Sequence, residues 1–264
     1  MKSLWKMTWI ETKLFLREPV GAFFTLVFPL MMLFLFGSIY GNEPTPMFGG
    51  LGTIDISIPA YTAMIIGTTG LMAITITMAT YRENGILRRL RTTPVSPLVV
   101  MVTQVIVVFA MTALGMLLLI VAGRLVYHVR FEGKAFSVLA GFTLSSLSFF
   151  GLGFILAGLM PTARTAQVVG MVLLYPMLFL SGAGFPRELL PDAIKRVSAF
   201  LPLTYVVNLL RGLWIGDPWS QHTTDVIVLV AMLVAGVLIS SRTRPPVSLT
   251  KSHSTVAGAV PSTM

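Results

Sequence analysis

Cysteine is missing from all 264 residues, which excludes disulfides, thiolate metal sites and cysteine nucleophiles and says nothing of the redox compartment. Charge is nearly as scarce. Asp, Glu, Lys and Arg make up 11% of the chain, against roughly 25% in soluble domains, so water is not its only solvent. There is no G-x-x-x-x-G-K-[ST] phosphate loop, and the chain is therefore not expected to bind ATP or another cofactor itself. His128, His222 and His253 are scattered, with no H-E-x-x-H or G-x-S-x-G arrangement and no paired carboxylates in the middle of an apolar block. Metal and catalytic sites are thus not expected, and the chain reads as a non-enzyme. The apolar blocks also lack the ionisable residues on which proton or sodium coupling usually depends, which disfavours an ion-coupled carrier.

What is present is hydrocarbon. Hydrophobic residues make up 55% of the chain and fall into the charge-free stretches Pro19–Asn42, Ile56–Tyr81, Thr92–Gly123, Ala135–Ala163, Thr165–Pro186 and Val226–Ser241. At 1.5 Å per residue the first five each cross the roughly 30 Å of a bilayer core, and the sixth does so when extended back to Thr223. Inside lipid the backbone must satisfy its own hydrogen bonds, and no block shows the alternation of a barrel strand. The fold class is therefore all-α integral membrane with six transmembrane helices, forming one domain over residues 1–241. The basic start and first apolar run are too long for a signal peptide and are expected to be retained.

An even number of spans puts both ends on one side. Lys2, Lys6, Lys13, Arg17, Arg82, Arg88, Arg89, Arg91, Arg164, Arg242, Arg244 and Lys251 lie there, against Arg124, Arg130, Lys134, Arg187, Lys195, Arg196 and Arg211 opposite. Twelve against seven places both termini in the cytoplasm. The net charge of +9 is accordingly assigned to topology and to anionic lipid rather than to nucleic acid.

Three segments are neither span nor simple turn. Residues 2–17 set Leu4, Trp5, Thr8, Trp9, Thr12, Phe15 and Leu16 near one face, with Lys6, Glu11 and Lys13 elsewhere, as in an interfacial amphipathic helix. Residues 185–219 are punctuated by Pro186, Pro191 and Pro202, and the uncharged piece Ala199–Leu210 is too short to span, so broken or re-entrant helices are expected on the outer side. The third is the cytoplasmic loop 81–97, which predicts a short helix from Glu83 to Arg91 with Ile86, Leu87 and Leu90 on one face and Arg88 and Arg91 away from it, ended by Pro94. On pattern alone these arginines serve equally well as topology signals. The tail 242–264, rich in Ser, Thr and Pro, is expected to be disordered.

The run Arg82-Glu83-Asn84-Gly85-Ile86-Leu87-Arg88-Arg89-Leu90-Arg91-Thr92-Thr93-Pro94-Val95-Ser96, together with the order of parts over nearly the whole chain, resembles the membrane subunits of type-2 ABC exporters, near the daunorubicin and multidrug resistance permeases. Tyr81 and Ile86 depart from the family pattern, which often carries an acidic residue and a threonine there. The resemblance implies two permease copies, identical or related, and two cytoplasmic ATPase subunits that hold ATP and magnesium. It implies a coupling helix whose ATPase contacts are Glu83, Gly85, Ile86, Leu87, Arg88, Leu90 and Arg91. It implies ATP-driven export of hydrophobic or amphiphilic compounds, with drugs as the first expectation and lipid, glycolipid or polysaccharide as the second. A membrane scaffold that transports nothing is the alternative of another class.

Other features have plainer readings. Sixteen methionines and seventeen phenylalanines pack between helices or face lipid, and Leu180–Gly184, which superficially resembles an ATPase signature loop, lies in an apolar block where small residues let helices bend or approach. Gly67, Gly70, Gly151 and Gly153 are read as packing positions, Arg211 and Asp217 as interfacial anchors, and no residue is assigned to substrate. The topology predicts that Ser96→Cys and Ser252→Cys are both protected from a membrane-impermeant thiol reagent in intact cells; labelling of both overturns the orientation.

Overall fold

A computed structural model describes residues 2–86, 97–184 and 191–242. These residues are helical wherever they are regular, and no strand occurs among them. In chain order the helices are α1 (Lys2–Arg17), α2 (Phe23–Tyr40), α3 (Thr53–Glu83), α4 (Pro97–Tyr127), α5 (Ala135–Leu159), α6 (Ala163–Leu180), α7 (Asp192–Ser198), α8 (Pro202–Ile215) and α9 (Thr223–Arg242). Helices α2 to α6 and α9 contain the six membrane spans expected from the charge-free blocks. Before the last span, α7 and α8 meet at 100°, which is the re-entrant pair that the prolines foretold. Helix α8 is about 21 Å long at 1.5 Å per residue, short of a bilayer.

The core is organised around α3, of whose apolar stretch 78% is buried, against 17% for α9. Its composition explains this. Serine, threonine, glycine and alanine keep its surface low, and the hydroxyls of Ser57, Thr62, Thr68 and Thr69 donate to carbonyls one turn back, at 2.7, 2.8, 2.9 and 2.8 Å. Polar residues thereby enter the interior without unsatisfied groups. Helix α5 crosses α3 where Gly153 meets the carbonyl of Gly70, so closely that a Cβ on Gly153 would strike that oxygen. Gly170 of α6 meets the Leu71 carbonyl, where a Cβ would lie 2.7 Å away, and Gly151 of α5 faces Gly236 of α9. Residues Thr69–Ile74 form a π-helical turn in α3, and the Thr75 hydroxyl reaches the carbonyls of Gly70 and Gly153 at 3.3 and 3.2 Å. One side chain thus serves both helices at their crossing.

At the end of the bundle remote from the 81–97 loop, the Asn42 side chain caps α3. Its oxygen accepts from the Ile54 and Asp55 N–H groups, while its amide donates to Asp55 Oδ1 and the Tyr127 carbonyl. Buried Asp55 also accepts from the Gly52 and Arg130 N–H groups, at 3.0 and 2.9 Å. The charge-free criterion began this span after Asp55, yet the helix starts at Thr53, because its free N–H groups are matched by side-chain oxygens. At the same end His222 lies between Asp225 and Asp217, at 3.0 and 3.4 Å, joining α8 to α9.

One expectation is corrected and one is refined. The fifth block was expected to remain apolar helix to Pro186, but α6 stops at Leu180, and Ser181–Gly184 turn away through Gly182 at φ 92°. Left-handed backbone suits glycine, so this short run bends the chain out of the helix. In α1 the stripe that packs on the protein is Met7, Glu11 and Phe15, whereas Trp5 and Trp9 are 76% and 59% exposed. The tryptophans suit the membrane–water interface, and Glu11 is received by a partner described below. The tail 242–264, expected to be disordered, lies outside the described residues apart from Arg242, as do positions 185–190 of the outer segment.

Gly153→Val is expected to lower the stability of the detergent-solubilised protein by about 1–3 kcal/mol through overpacking against α3, read as a fall in thermal unfolding temperature.

Candidate coupling site

Helix α3 leaves the membrane as Thr80-Tyr81-Arg82-Glu83. The helix was expected to restart at Glu83 as the coupling helix; instead Glu83 is the last residue of α3, and Asn84–Gly85 break the chain. The Asn84 and Gly85 N–H groups close the helix on the carbonyls of Thr80 and Arg82 at 2.9 and 3.1 Å, and Gly85 takes φ 68°. That conformation is costly with a Cβ, which gives Gly85 a backbone reason to be glycine. Ile86 is half-buried. Leu87, Arg88, Leu90 and Arg91, with the rest of the loop to Ser96, lie outside the described residues.

Successive helical residues point about 100° apart, so Tyr81, Arg82 and Glu83 reach three different neighbours from a single turn. The Tyr81 hydroxyl donates to Glu11 Oε1 of α1 at 2.5 Å. The Arg82 guanidinium donates to the carbonyls of Gly158 and Met160 at the C-terminal end of α5. Glu83 Oε2 accepts from the Ala163 N–H at the first residue of α6, 2.8 Å away. Beside it Thr162 caps the same helix, its hydroxyl accepting from the Thr165 N–H at 3.2 Å. A cation at the carbonyl end of α5 and an anion at the amide end of α6 both match the helix dipoles. The turn joining α5 to α6 is therefore held from both sides by consecutive residues of α3.

Glu11 is the sole acidic residue of α1 and is nearly buried, which pushes its carboxyl above the usual carboxylate range. The hydrogen bond from Tyr81 works in the opposite direction. Sequence reasoning placed Glu11 off the packing face, treated Tyr81 as a departure from a family pattern and left Arg82 out of the site. The signal that could have found them is a lone carboxylate on a helix bound for the interior, which needs a donor nearby. Among the described residues no group of three or more His, Asp or Glu side chains comes together to hold a metal ion.

A bundle of six spans with an interfacial helix locked to the loop after the second span is the architecture of a transporter's membrane subunit. Residues 2–214 match the ABC-2 type transporter family, and the chain belongs to it as a multi-pass permease. It is similar to Nodulation protein J of Rhizobium leguminosarum bv. viciae, 34% identical over 98 residues that cover 37% of this chain and 38% of that protein. It is also similar to the Inner membrane transport permease YhhJ of Escherichia coli (strain K12), 24% identical over 192 residues, 69% of this chain and 48% of the relative. The Probable multidrug ABC transporter permease YbhR of the same strain is 22% identical over 161 residues, 61% of this chain and 44% of the relative. In each case the chain spans less than half the length of the relative.

With the folded-state value of Glu11 raised, docking of α1 is strongest below the ordinary carboxylate range and weakens as pH rises through the raised value. Wild type is therefore expected to lose thermal stability relative to Glu11→Gln across that window, with a constant difference at lower pH. A difference that is flat throughout overturns this reading of Glu11.

Proposed function

We propose that the chain is the permease of an ATP-driven exporter of the bacterial inner membrane, with both termini in the cytoplasm. It works as a pair of permeases with two cytoplasmic ABC ATPase subunits that bind and hydrolyse magnesium-ATP. The observation that carries this reading is the triple contact of Tyr81, Arg82 and Glu83 with α1, α5 and α6. The loop that follows, from Glu83 through Gly85, Ile86, Leu87, Arg88 and Leu90 to Arg91, is the seat for the ATPase. Its leucines dock on the partner and its arginines pair with acidic groups, each exposed pair contributing ~0–1 kcal/mol, so the grip is shared. Closure of the ATPase dimer pushes the loop. Because the last turn of α3 is bonded to three other helices, the push tilts a set of spans rather than bending one.

The cargo is a hydrophobic or amphiphilic compound. One relative's name, a probable multidrug permease, supports drugs within that class. The relative with higher identity is named for nodulation, and this keeps the proposal at the level of the class.

Co-expression with a candidate ABC ATPase subunit from the same organism, followed by purification, tests the assignment. Wild type is expected to retain the ATPase and to drive ATP-dependent uptake of a fluorescent amphiphile into inverted vesicles. Leu87→Asp is expected to lose both. Glu83→Ala, which removes both an ATPase contact and the bond to α6, is expected to weaken retention of the ATPase and to lose transport. An absent ATPase, or unchanged transport in both variants, overturns the proposal.

A further inference from the structure

The end of the bundle remote from the loop holds an apolar cavity of about 350 Å³ that the export mechanism does not use. Ile120 and Arg124 of α4 form one wall, Ala135 and Leu139 of α5 the other, and Phe131 and Trp214 complete it. The rings of Phe131 and Trp214 meet edge to face at 4.8 Å, so this part of the wall is two interlocked aromatics. Helices α4 and α5, although consecutive, make little contact with each other: α4 packs on α3 and α1, α5 on α3 and α9, and the cavity lies between them.

Both walls belong to helices that face hydrocarbon. Leu117, Val121 and Leu125 of α4 and Phe136 of α5 are exposed, and Leu139, which lines the cavity, is 55% exposed. The cavity thus opens toward lipid. Its size falls within the range of small-molecule sites, and its walls are apolar, so ordered water has few partners in it. The neighbouring solvent is the acyl chain. Arg124 supplies the one charge on the wall, is itself exposed, and forms no ion pair among the described residues. Arg130 and Lys134 lie in the following loop with Glu132 as the single acid between them, so the rim is cationic. An arginine three residues from the end of a span extends toward the headgroup region, where the complementary group is phosphate.

We infer that this cavity is a binding site for an anionic phospholipid, with one acyl chain between α4 and α5 over Trp214 and the headgroup phosphate on Arg124. The lipid fills the gap between two spans that other contacts hold apart, and it would be bound whether or not the chain exports anything.

Trp214 provides the readout. With Trp5→Phe, Trp9→Phe and Trp219→Phe it becomes the sole tryptophan, and its ring is screened from solvent, so a quencher reaches it through the cavity. The protein is reconstituted in bilayers containing phosphatidylglycerol or phosphatidylcholine with brominated acyl chains at matched mole fraction. Phosphatidylglycerol is expected to quench at about fivefold lower mole fraction, the value for one basic contact of about 1 kcal/mol. Arg124→Gln is expected to remove that preference. Leu139→Ala, which widens the opening, is expected to increase quenching by both lipids, while Ala135→Phe, which fills the cavity, is expected to abolish it. Equal quenching by the two lipids in the parent, or quenching that Ala135→Phe leaves unchanged in a variant with normal helicity and gel-filtration behaviour, overturns the site. If Ala135→Phe does not fold, the Arg124→Gln comparison decides alone.

Discussion

The approach of α5 and α6 to the backbone of α3 is the constraint on which the rest of the structure rests. Lipid gives helices no hydrophobic reason to associate, so contact must come from close packing and hydrogen bonds. Gly153 against Gly70 and Gly170 against Leu71 supply the first, and the Thr75 hydroxyl between two carbonyls supplies the second. These contacts bury α3 from end to end and leave α9 largely to lipid. They also fix where α3 emerges, and hence where its last turn meets α1 and the α5–α6 hairpin.

That last turn derives its strength from complementarity rather than from charge alone. Arg82 and Glu83 sit at helix ends whose unpaired carbonyls and N–H groups have the matching polarity. Each therefore satisfies backbone groups that would otherwise need water. Glu11 and Tyr81 follow different physics: a carboxyl is taken out of solvent and answered by a phenol. The Glu11–Tyr81 contact is therefore protonation-dependent, held most firmly while the carboxyl keeps its proton.

Much of this could be read from the chain. Charge-free blocks located the spans because a bilayer leaves no alternative to helices, and Pro191 and Pro202 marked the bent pair α7–α8. The glycines of α3 and α5 were recognisable as packing positions, but not which glycine meets which, since that depends on crossing geometry. The apolar face of α1 was legible as that of an interfacial helix, and Trp5 and Trp9 are exposed on it; what the pattern did not show is that Glu11 takes a buried position against the bundle. Asp55 was passed over because a charge normally ends an apolar block; here three neighbouring donors, the Asn42 amide and the Gly52 and Arg130 N–H groups, receive it. In the loop, Gly85 entered only through the family resemblance, and its backbone role, a left-handed residue that closes α3 after Glu83, showed only in the structure.

The π-helical turn at Thr69–Ile74 changes the rotational phase of α3 midway through the membrane. A single extra residue in a turn offsets everything beyond it by about 100° around the axis, so the two halves of the helix obey separate periodicities. The half that carries the Asn42 cap and the half that carries Tyr81, Arg82 and Glu83 are thus indexed independently. Regularising the turn into an ordinary α-helix, without changing any residue of the last turn, would rotate all three away from their partners together. The helix behaves as a keyed shaft, with the key cut where Gly70 crosses Gly153.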